Sequence, residues 1–323
     1  MAREVIANGL KMHIEEQGEG AVVLFVHGFP ETSHAWRHQI SALAAAGFHA
    51  VAPDLRGYGR TEVPLEVGRY SVFDLVGDLV GILDALGCEQ AIVVGNDWGS
   101  TVAWTAALLR PDRFKGVVAI GVPMMGDPPV PPTTLFPADE KALFYTLYFQ
   151  EPGIAEAELE ENIEETLRKI LFSASREAGP RQDGDGTPNP FSMVSRASGM
   201  LAGLANPATL PAWLSENDLA LYVASFSRTG FRGALNYYRN LDANWSLKRA
   251  LAGKQVEVPA LFMVGEQDVG LQIPGMHDII SSMPRLVPKL TACLTIKDCG
   301  HWAPQERPNE VSEAIIAFAR SLE

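Results

Sequence analysis

The sequence predicts an α/β protein: a mostly parallel sheet with helices on both faces and a helical insertion in its second half. Three observations predict it. Short β-branched apolar runs recur along the chain, each closed by a turn signal. Helical periodicity fills the gaps between them. That alternation then lapses between residues 123 and 255 before it resumes.

The elements follow in order. Residues 4–16 read as a hairpin at the sheet edge, with Asn8-Gly9 as its turn. Apolar runs at 21–26, 48–52, 91–94, 117–122, 260–264 and 293–296 read as strands. They lack strict alternation, so both faces of the sheet are expected to be covered. Helical patterns lie at about 33–46, 71–87, 99–110 and 309–322, and strand alternating with helix means βαβ units. Between 123 and 137 stand Pro123, Pro128, Pro129, Pro131, Pro132 and Pro137, which predict a long irregular connection. Residues 154–171 read as one acidic amphipathic helix, with Leu159, Ile163, Leu167, Ile170 and Leu171 on one side. Residues 178–190 read as a loop. The expected division is a core of residues 1–122 and 256–323, with 123–255 as connecting loop and helical cap over one sheet edge.

Composition bounds the function. The chain has 323 residues, 47% of them hydrophobic, with a formal net charge of −13. Phosphate backbones and anionic lipid surfaces would be repelled, so neither nucleic acid nor membrane is an expected partner. Three cysteines (Cys88, Cys293, Cys299) make no disulfide framework, and no CxxC pair invites zinc. The first residues mix charge with apolar side chains, unlike a signal peptide, and no run is long enough to span a bilayer. A cytoplasmic protein without metal or organic cofactor is expected, as a monomer or homodimer.

Chemistry concentrates at three places. Gly95-Asn96-Asp97-Trp98-Gly99 follows an apolar strand and precedes a helix, the shape of a nucleophile elbow. Its central side chain would stand exposed on a sharp turn, where bulky neighbours two positions away would clash. An ordinary turn with a helix-capping aspartate would read the same. A carboxylate nucleophile is already ionised at neutral pH and can attack an sp3 carbon to form an alkyl ester. Attack on an ester or amide would give an anhydride instead. Asp97 therefore argues for an epoxide or an alkyl halide as substrate. The second place is His27-Gly28-Phe29-Pro30, after the first buried strand. Its loop and the residue after the nucleophile would supply an oxyanion hole from the N–H groups of Phe29 and Trp98. His27 itself reads as structural. The third is order along the chain: Asp268 follows the strand at 260–264, and His301 follows the last strand. His301 would deprotonate water while Asp268 orients the imidazole. Asp127 is an alternative acid. His13, His34, His38, His49 and His277 read as solvated or structural.

Assembled, these residues make the chain resemble the epoxide hydrolase family of the α/β-hydrolase fold over nearly its whole length. The resemblance is strongest in Tyr148-Phe149-Gln150-Glu151-Pro152-Gly153 and in the stretch from Phe231 to Asn240, both similar to the cap of soluble epoxide hydrolases. The length leaves no room for the phosphatase domain of the vertebrate enzyme. The resemblance implies that Tyr145 and Tyr238 hold the epoxide oxygen, a role that suits a phenol still protonated at pH 7. Unaided, both tyrosines would read as core residues, as Tyr148, Tyr222 and Tyr237 do. Position 96 is often histidine in this family and is asparagine here. The implied activity is hydrolysis of a hydrophobic epoxide by water to a vicinal diol. Expected pocket walls are Phe29, Pro30, Trp98, Met124, Phe144, Phe191, Met200, Trp213, Val269 and Trp302. A haloalkane dehalogenase is the neighbouring reading, but position 29 is phenylalanine where that family resembles His-Gly-Asn-Pro. Fluoroacetate dehalogenases share His-Gly-Phe-Pro but need arginines beside the nucleophile, where this chain has Trp98 and Ser100 or Thr101. A non-catalytic small-molecule receptor on the same fold is the third.

Overall fold

The computed structural model describes residues 1–179 and 189–323. Most of the loop expected at 178–190 therefore lies outside the described residues. The chain opens on β1 (Ala2–Ala7) and β2 (Leu10–Gln17), an antiparallel hairpin closed by the pair Ala7 and Leu10. Its turn puts Asn8 at φ 51° and Gly9 at φ 76°, the left-handed pair that Asn-Gly tolerates. Next come β3 (Val22–Val26), α1 (Arg37–Ala45), β4 (His49–Pro53), α2 (Val72–Ala85), β5 (Ala91–Asn96), α3 (Trp98–Leu109) and β6 (Phe114–Ile120). The chain then leaves the sheet. The insertion holds β7 (Ala142–Phe144), α4 (Tyr145–Tyr148), α5 (Ile154–Leu159), α6 (Ile163–Ser173), β8 (Met193–Ser195), α7 (Glu216–Thr229), α8 (Arg232–Arg239) and α9 (Leu241–Lys248). It returns through β9 (Ala260–Gly265), α10 (Met276–Ser282), β10 (Leu290–Ile296), α11 (Ala303–Glu306) and α12 (Pro308–Arg320).

The eight-stranded sheet runs in the order β1-β2-β4-β3-β5-β6-β9-β10. Only β1 and β2 run antiparallel to their neighbours; every pairing from β4 to β10 is parallel. The missing alternation now has its cause. Val22, Leu24 and Val26 of β3 enter one apolar cluster, and Val23 and Phe25 enter the other, on the opposite face. β5, β6 and β9 divide in the same way, so each side chain of these strands but Lys115 is buried. The first cluster continues into the insertion through Phe149, Leu167, Tyr222 and Phe231.

Three expectations need correction. The last strand is not covered on both faces: Cys293, Leu294 and Thr295 are exposed, because β10 is the edge strand and pairs only with β9. The strand expected at 117–122 runs from Phe114 to Ile120, since Gly121 at φ 80° turns the chain out of the sheet. The single acidic helix of 154–171 is two helices. Asn162, extended at φ −145°, interrupts it and accepts the Glu165 N–H at 3.2 Å, capping α6. The buried side of α6 is Leu167, Ile170 and Leu171, as its spacing predicts. The insertion covers the edge formed by the carboxyl ends of the strands. Tyr237 Oη donates to the Arg56 carbonyl after β4 at 3.0 Å, Tyr238 packs on Trp98 after β5, and Trp302 Nε1 donates to the Leu171 carbonyl at 2.7 Å. Among the described residues, no helix is long and apolar enough to cross a membrane.

Candidate active site

The turn from β5 into α3 carries Asp97 at φ 53°, ψ −121°, a conformation that non-glycine residues rarely adopt. Its flanking glycines are there for space. A methyl at Gly95 would sit 2.1 Å from the Gly99 carbonyl oxygen, and one at Gly99 would sit 1.9 Å from that of Val26. Trp98 opens α3, whose first N–H groups have no partner within the helix. Across the turn, the Phe29 N–H donates to Asp97 Oδ1 at 2.8 Å. Phe29 precedes Pro30 through a cis peptide bond. His27 is buried beneath this loop. Its Nε2 accepts the Leu55 N–H at 3.0 Å, and burial lowers its pKa to about 4, so it ties loops together as a neutral imidazole.

His301 meets both carboxylates. Its Nδ1 lies 3.0 and 3.1 Å from the two oxygens of Asp268, and its Nε2 lies 3.5 Å from Asp97 Oδ2. Burial works against a charged imidazolium here. The facing carboxylates of Asp268 and Asp97 outweigh it and hold the His301 pKa well above its usual value. Nε2 is buried and forms no hydrogen bond among the described residues. Asp268 is the acid beside the histidine, whereas Asp127 is exposed. The other histidines divide: His34 pairs with Asp218 at 2.6 Å and His49 with Glu16 at 2.9 Å, at the surface.

Tyr145 and Tyr238 come from different helices, α4 and α8, and their ring centroids are 5.8 Å apart, near perpendicular. The Tyr238 ring also stands edge-on to Trp98, Phe29 and Phe149 at 5.1, 5.8 and 5.0 Å. The other insertion tyrosines use their hydroxyls elsewhere. Tyr148 donates to Glu158 at 2.6 Å, Tyr237 to the Arg56 carbonyl and Tyr222 to Gln305. The hydroxyls of Tyr145 and Tyr238 engage no carboxylate or carbonyl among the described residues. Burial, then the nearby charge of Asp97, raises both pKa values above the usual 10, so both stay protonated. Two side chains join the tyrosine-bearing helices. Gln150 Nε2 donates to the Thr146 carbonyl at 2.9 Å and to the Tyr238 carbonyl at 3.0 Å. Arg239 reaches back to the carbonyls of Phe149 and Gln150 at 2.9 and 3.2 Å.

The expected walls separate into two groups. Phe191 lies 5.4 Å from both His301 and Tyr145, Trp302 lies 4.8 Å from His301, and Phe144 lies 4.8 Å from Tyr145. With Phe29, Trp98 and Val269, which directly follows Asp268, they surround the triad and tyrosines. Met124 is buried in the same apolar cluster. Met200 is tied to Glu158 through its N–H, and the Trp213 carbonyl accepts from Arg37. Neither tie reaches Asp97 or His301.

Sequence reasoning missed a polar group behind Asp97. Glu31 is fully buried and accepts from Gln305 Nε2 at 2.7 Å and from Asn96 Nδ2 at 3.4 Å. Burial raises its pKa to about 7. Asn96 Oδ1 is buried without a partner among the described residues. The available signal is an acidic residue directly after Pro30. Among the described residues, no three His, Cys, Asp or Glu side chains group as metal ligands.

The chain as a whole is similar to known proteins. The family described as alpha/beta hydrolase fold matches residues 21–159. The chain is 43% identical over 327 residues to Epoxide hydrolase A of Mycobacterium tuberculosis (strain ATCC 25618 / H37Rv), across 99% of this chain and 98% of that protein. It is 40% identical to Epoxide hydrolase 3 of Siraitia grosvenorii, across 96% and 95%. Among solved structures, an epoxide hydrolase from an endophytic Streptomyces superposes with a TM-score of 0.95 at 39% identity, across 100% of this chain and 96% of that one. The chain belongs to the epoxide hydrolase family, within the α/β-hydrolase fold.

Proposed function

We propose that the protein hydrolyses hydrophobic epoxides to vicinal diols through an alkyl ester on Asp97. The observation that carries this reading is the pairing of the Asp97 carboxylate with two protonated tyrosine hydroxyls that bind no carboxylate or carbonyl among the described residues, across an aromatic pocket. Phe29 holds Oδ1, which leaves Oδ2 to attack. Oδ2 forms a bond to an epoxide carbon, the ring C–O bond breaks, and a tyrosine hydroxyl gives its proton to the departing oxygen. Residues 123–255 act as a lid that excludes water from this step.

The second step regenerates the carboxylate. Esterification removes the charge of Asp97, one of the two carboxylates that keep His301 protonated. His301 then returns its proton to the tyrosinate and, as a neutral imidazole, can act as a base. It takes a proton from water, and the hydroxide adds to Asp97 Cγ. The oxyanion forms on Oδ1, held by the N–H of Phe29 and aided by that of Trp98. Collapse expels the diol alkoxide, which takes the proton of the newly formed Asp97 carboxylic acid, while His301 keeps the proton it took from water, and all groups return to their starting state. Against an alkyl halide, the tyrosines would have no oxygen to protonate, and the Phe29 side chain offers a leaving halide no donor.

A single turnover in heavy-oxygen water, with enzyme in excess, tests the route. The label is expected in the Asp97 carboxylate and not in the first diol. Label in that diol would mean direct attack by water and would sink the ester. A terminal alkyl bromide in a parallel tube should release no bromide.

A further inference from the structure

The loop that presents His301 is held by a carboxylate that the mechanism above does not use. Glu306 closes α11, and its side chain folds back over the preceding turn. Oε2 accepts the Gly300 N–H at 2.9 Å, and Oε1 accepts the Trp302 N–H at 2.9 Å. These are the N–H groups of the residues on either side of His301. The N–H of His301 itself donates to the Ala174 carbonyl at 3.0 Å, so three successive amides are engaged. Oε2 also accepts the Arg176 N–H at 3.0 Å, from the end of the insertion's helical segment. One carboxylate thus joins the histidine loop to the insertion. Gly300 permits this approach, because a methyl there would lie 2.5 Å from the Arg176 nitrogen. Glu306 forms no ion pair among the described residues, and its neighbour Arg307 turns to Asp298 instead. Burial raises the Glu306 pKa to about 7 although three backbone N–H groups favour the charged form, and its oxygens serve those amides alone.

We infer that Glu306 is a positioning residue for the ester-hydrolysis step, acting by holding the backbone on both sides of His301. The inference rests on the two-step reading above, and the half-reactions separate its effect from a general loss of stability. Ring opening depends on Asp97 and the tyrosines. Water activation depends on where His301 Nε2 points, and small displacements of a base are expensive. Glu306→Gln retains the shape, but its amide nitrogen would face an N–H group that needs an acceptor.

The test follows both half-reactions in the full chain with an aryl-substituted epoxide. Ester formation is read by rapid mixing, and the ester itself by the mass of the intact protein and of the peptide bearing Asp97. For Glu306→Gln, ester hydrolysis is expected to slow by about tenfold to a hundredfold while ester formation stays within about twofold. The enzyme should then carry bound alkyl ester at steady state. Glu306→Asp, which retains the charge on a shorter arm, should accumulate less ester, and it answers the question if the glutamine variant does not fold. His301→Gln is the reference. If His301→Gln accumulates ester and neither Glu306 variant does, or if both half-reactions slow in proportion, the positioning role is overturned. If His301→Gln itself never accumulates ester, the two-step reading fails and this inference with it.

Discussion

Asp97, Asp268 and His301 stand on loops at the carboxyl ends of β5, β9 and β10, whereas Tyr145 and Tyr238 stand on helices of four and eight residues in the insertion. The two halves are held by different forces. The core half is anchored to a hydrogen-bonded sheet, and its loops are fixed by short polar ties such as the Phe29 N–H to Asp97 and His301 to Asp268. The insertion half is fixed by aromatic packing around Tyr238 and by the reciprocal ties of Gln150 and Arg239. Helices this short are not stable alone, so the tyrosines are placed by docking rather than by their own elements. The contrast implies a division of labour. Changes in the core half should abolish chemistry, and changes in the insertion half should weaken ring opening by degrees.

The largest effect tests the core half. Asp97→Asn replaces the nucleophile with a neutral amide, and diol formation is expected to fall by about 10⁴ or more. Residual turnover above a hundredth of the parent rate would show that the carboxylate is not the nucleophile. Next comes the insertion half. Tyr145→Phe and Tyr238→Phe should each slow ester formation, and the double variant should slow it by roughly 10² to 10⁴, the range for a lost general acid. Ester hydrolysis should be spared. In the parent, the raised tyrosine pKa values place the alkaline loss of ring opening above pH 10, since deprotonation removes the donor. A rate that declines between pH 8 and 9 would contradict those environments.

A smaller effect should come from the ties between the helices. Gln150→Met removes two donors at nearly constant length, and at ~0.5–1.5 kcal/mol per hydrogen bond it should slow ester formation several-fold. Equal slowing of both half-reactions would erase the distinction between the halves. The smallest effect concerns stability alone. Glu31 has a folded pKa of about 7, above its ordinary value of 4.5. The folded state therefore holds a proton that the unfolded state releases, and stability falls as pH rises from about 4.5 through about 7. Glu31→Gln abolishes that loss, and Asn96 can turn its unpartnered Oδ1 to the new amide. The variant should melt about 2–4 °C above the parent at pH 8 and level with it at pH 4. Melting curves at the two values check the sign.

How much was legible follows the same division. The hairpin turn at Asn8-Gly9, the elbow around Asp97 and the acid and histidine after β9 and β10 were readable because each is local. A glycine pair, a strand end and a positive φ are properties of a few adjacent residues. The split between α5 and α6 was missed although Asn162 is itself a capping residue, because the acidic periodicity runs through it. Glu31 and Gln305 were missed for a different reason. They lie 274 positions apart along the chain, and no local pattern announces such a contact.

By itself, then, the sequence determined the layered α/β architecture, the interruption of the sheet after β6 and the carboxylate character of the proposed nucleophile. Each depends on periodicity or on residue type, which neighbours along the chain express directly. Tertiary structure alone decided which tyrosines lie near the charge of Asp97, which of two acids meets His301, and how Glu306 ties that histidine to the insertion. Tyr237 and Tyr238 are adjacent and chemically identical, yet one hydroxyl is spent on the Arg56 carbonyl and the other binds no carboxylate or carbonyl among the described residues. Only the packing of α8 against the loops of the sheet distinguishes them, because burial and hydrogen-bond satisfaction are set by elements that the chain brings together from a distance.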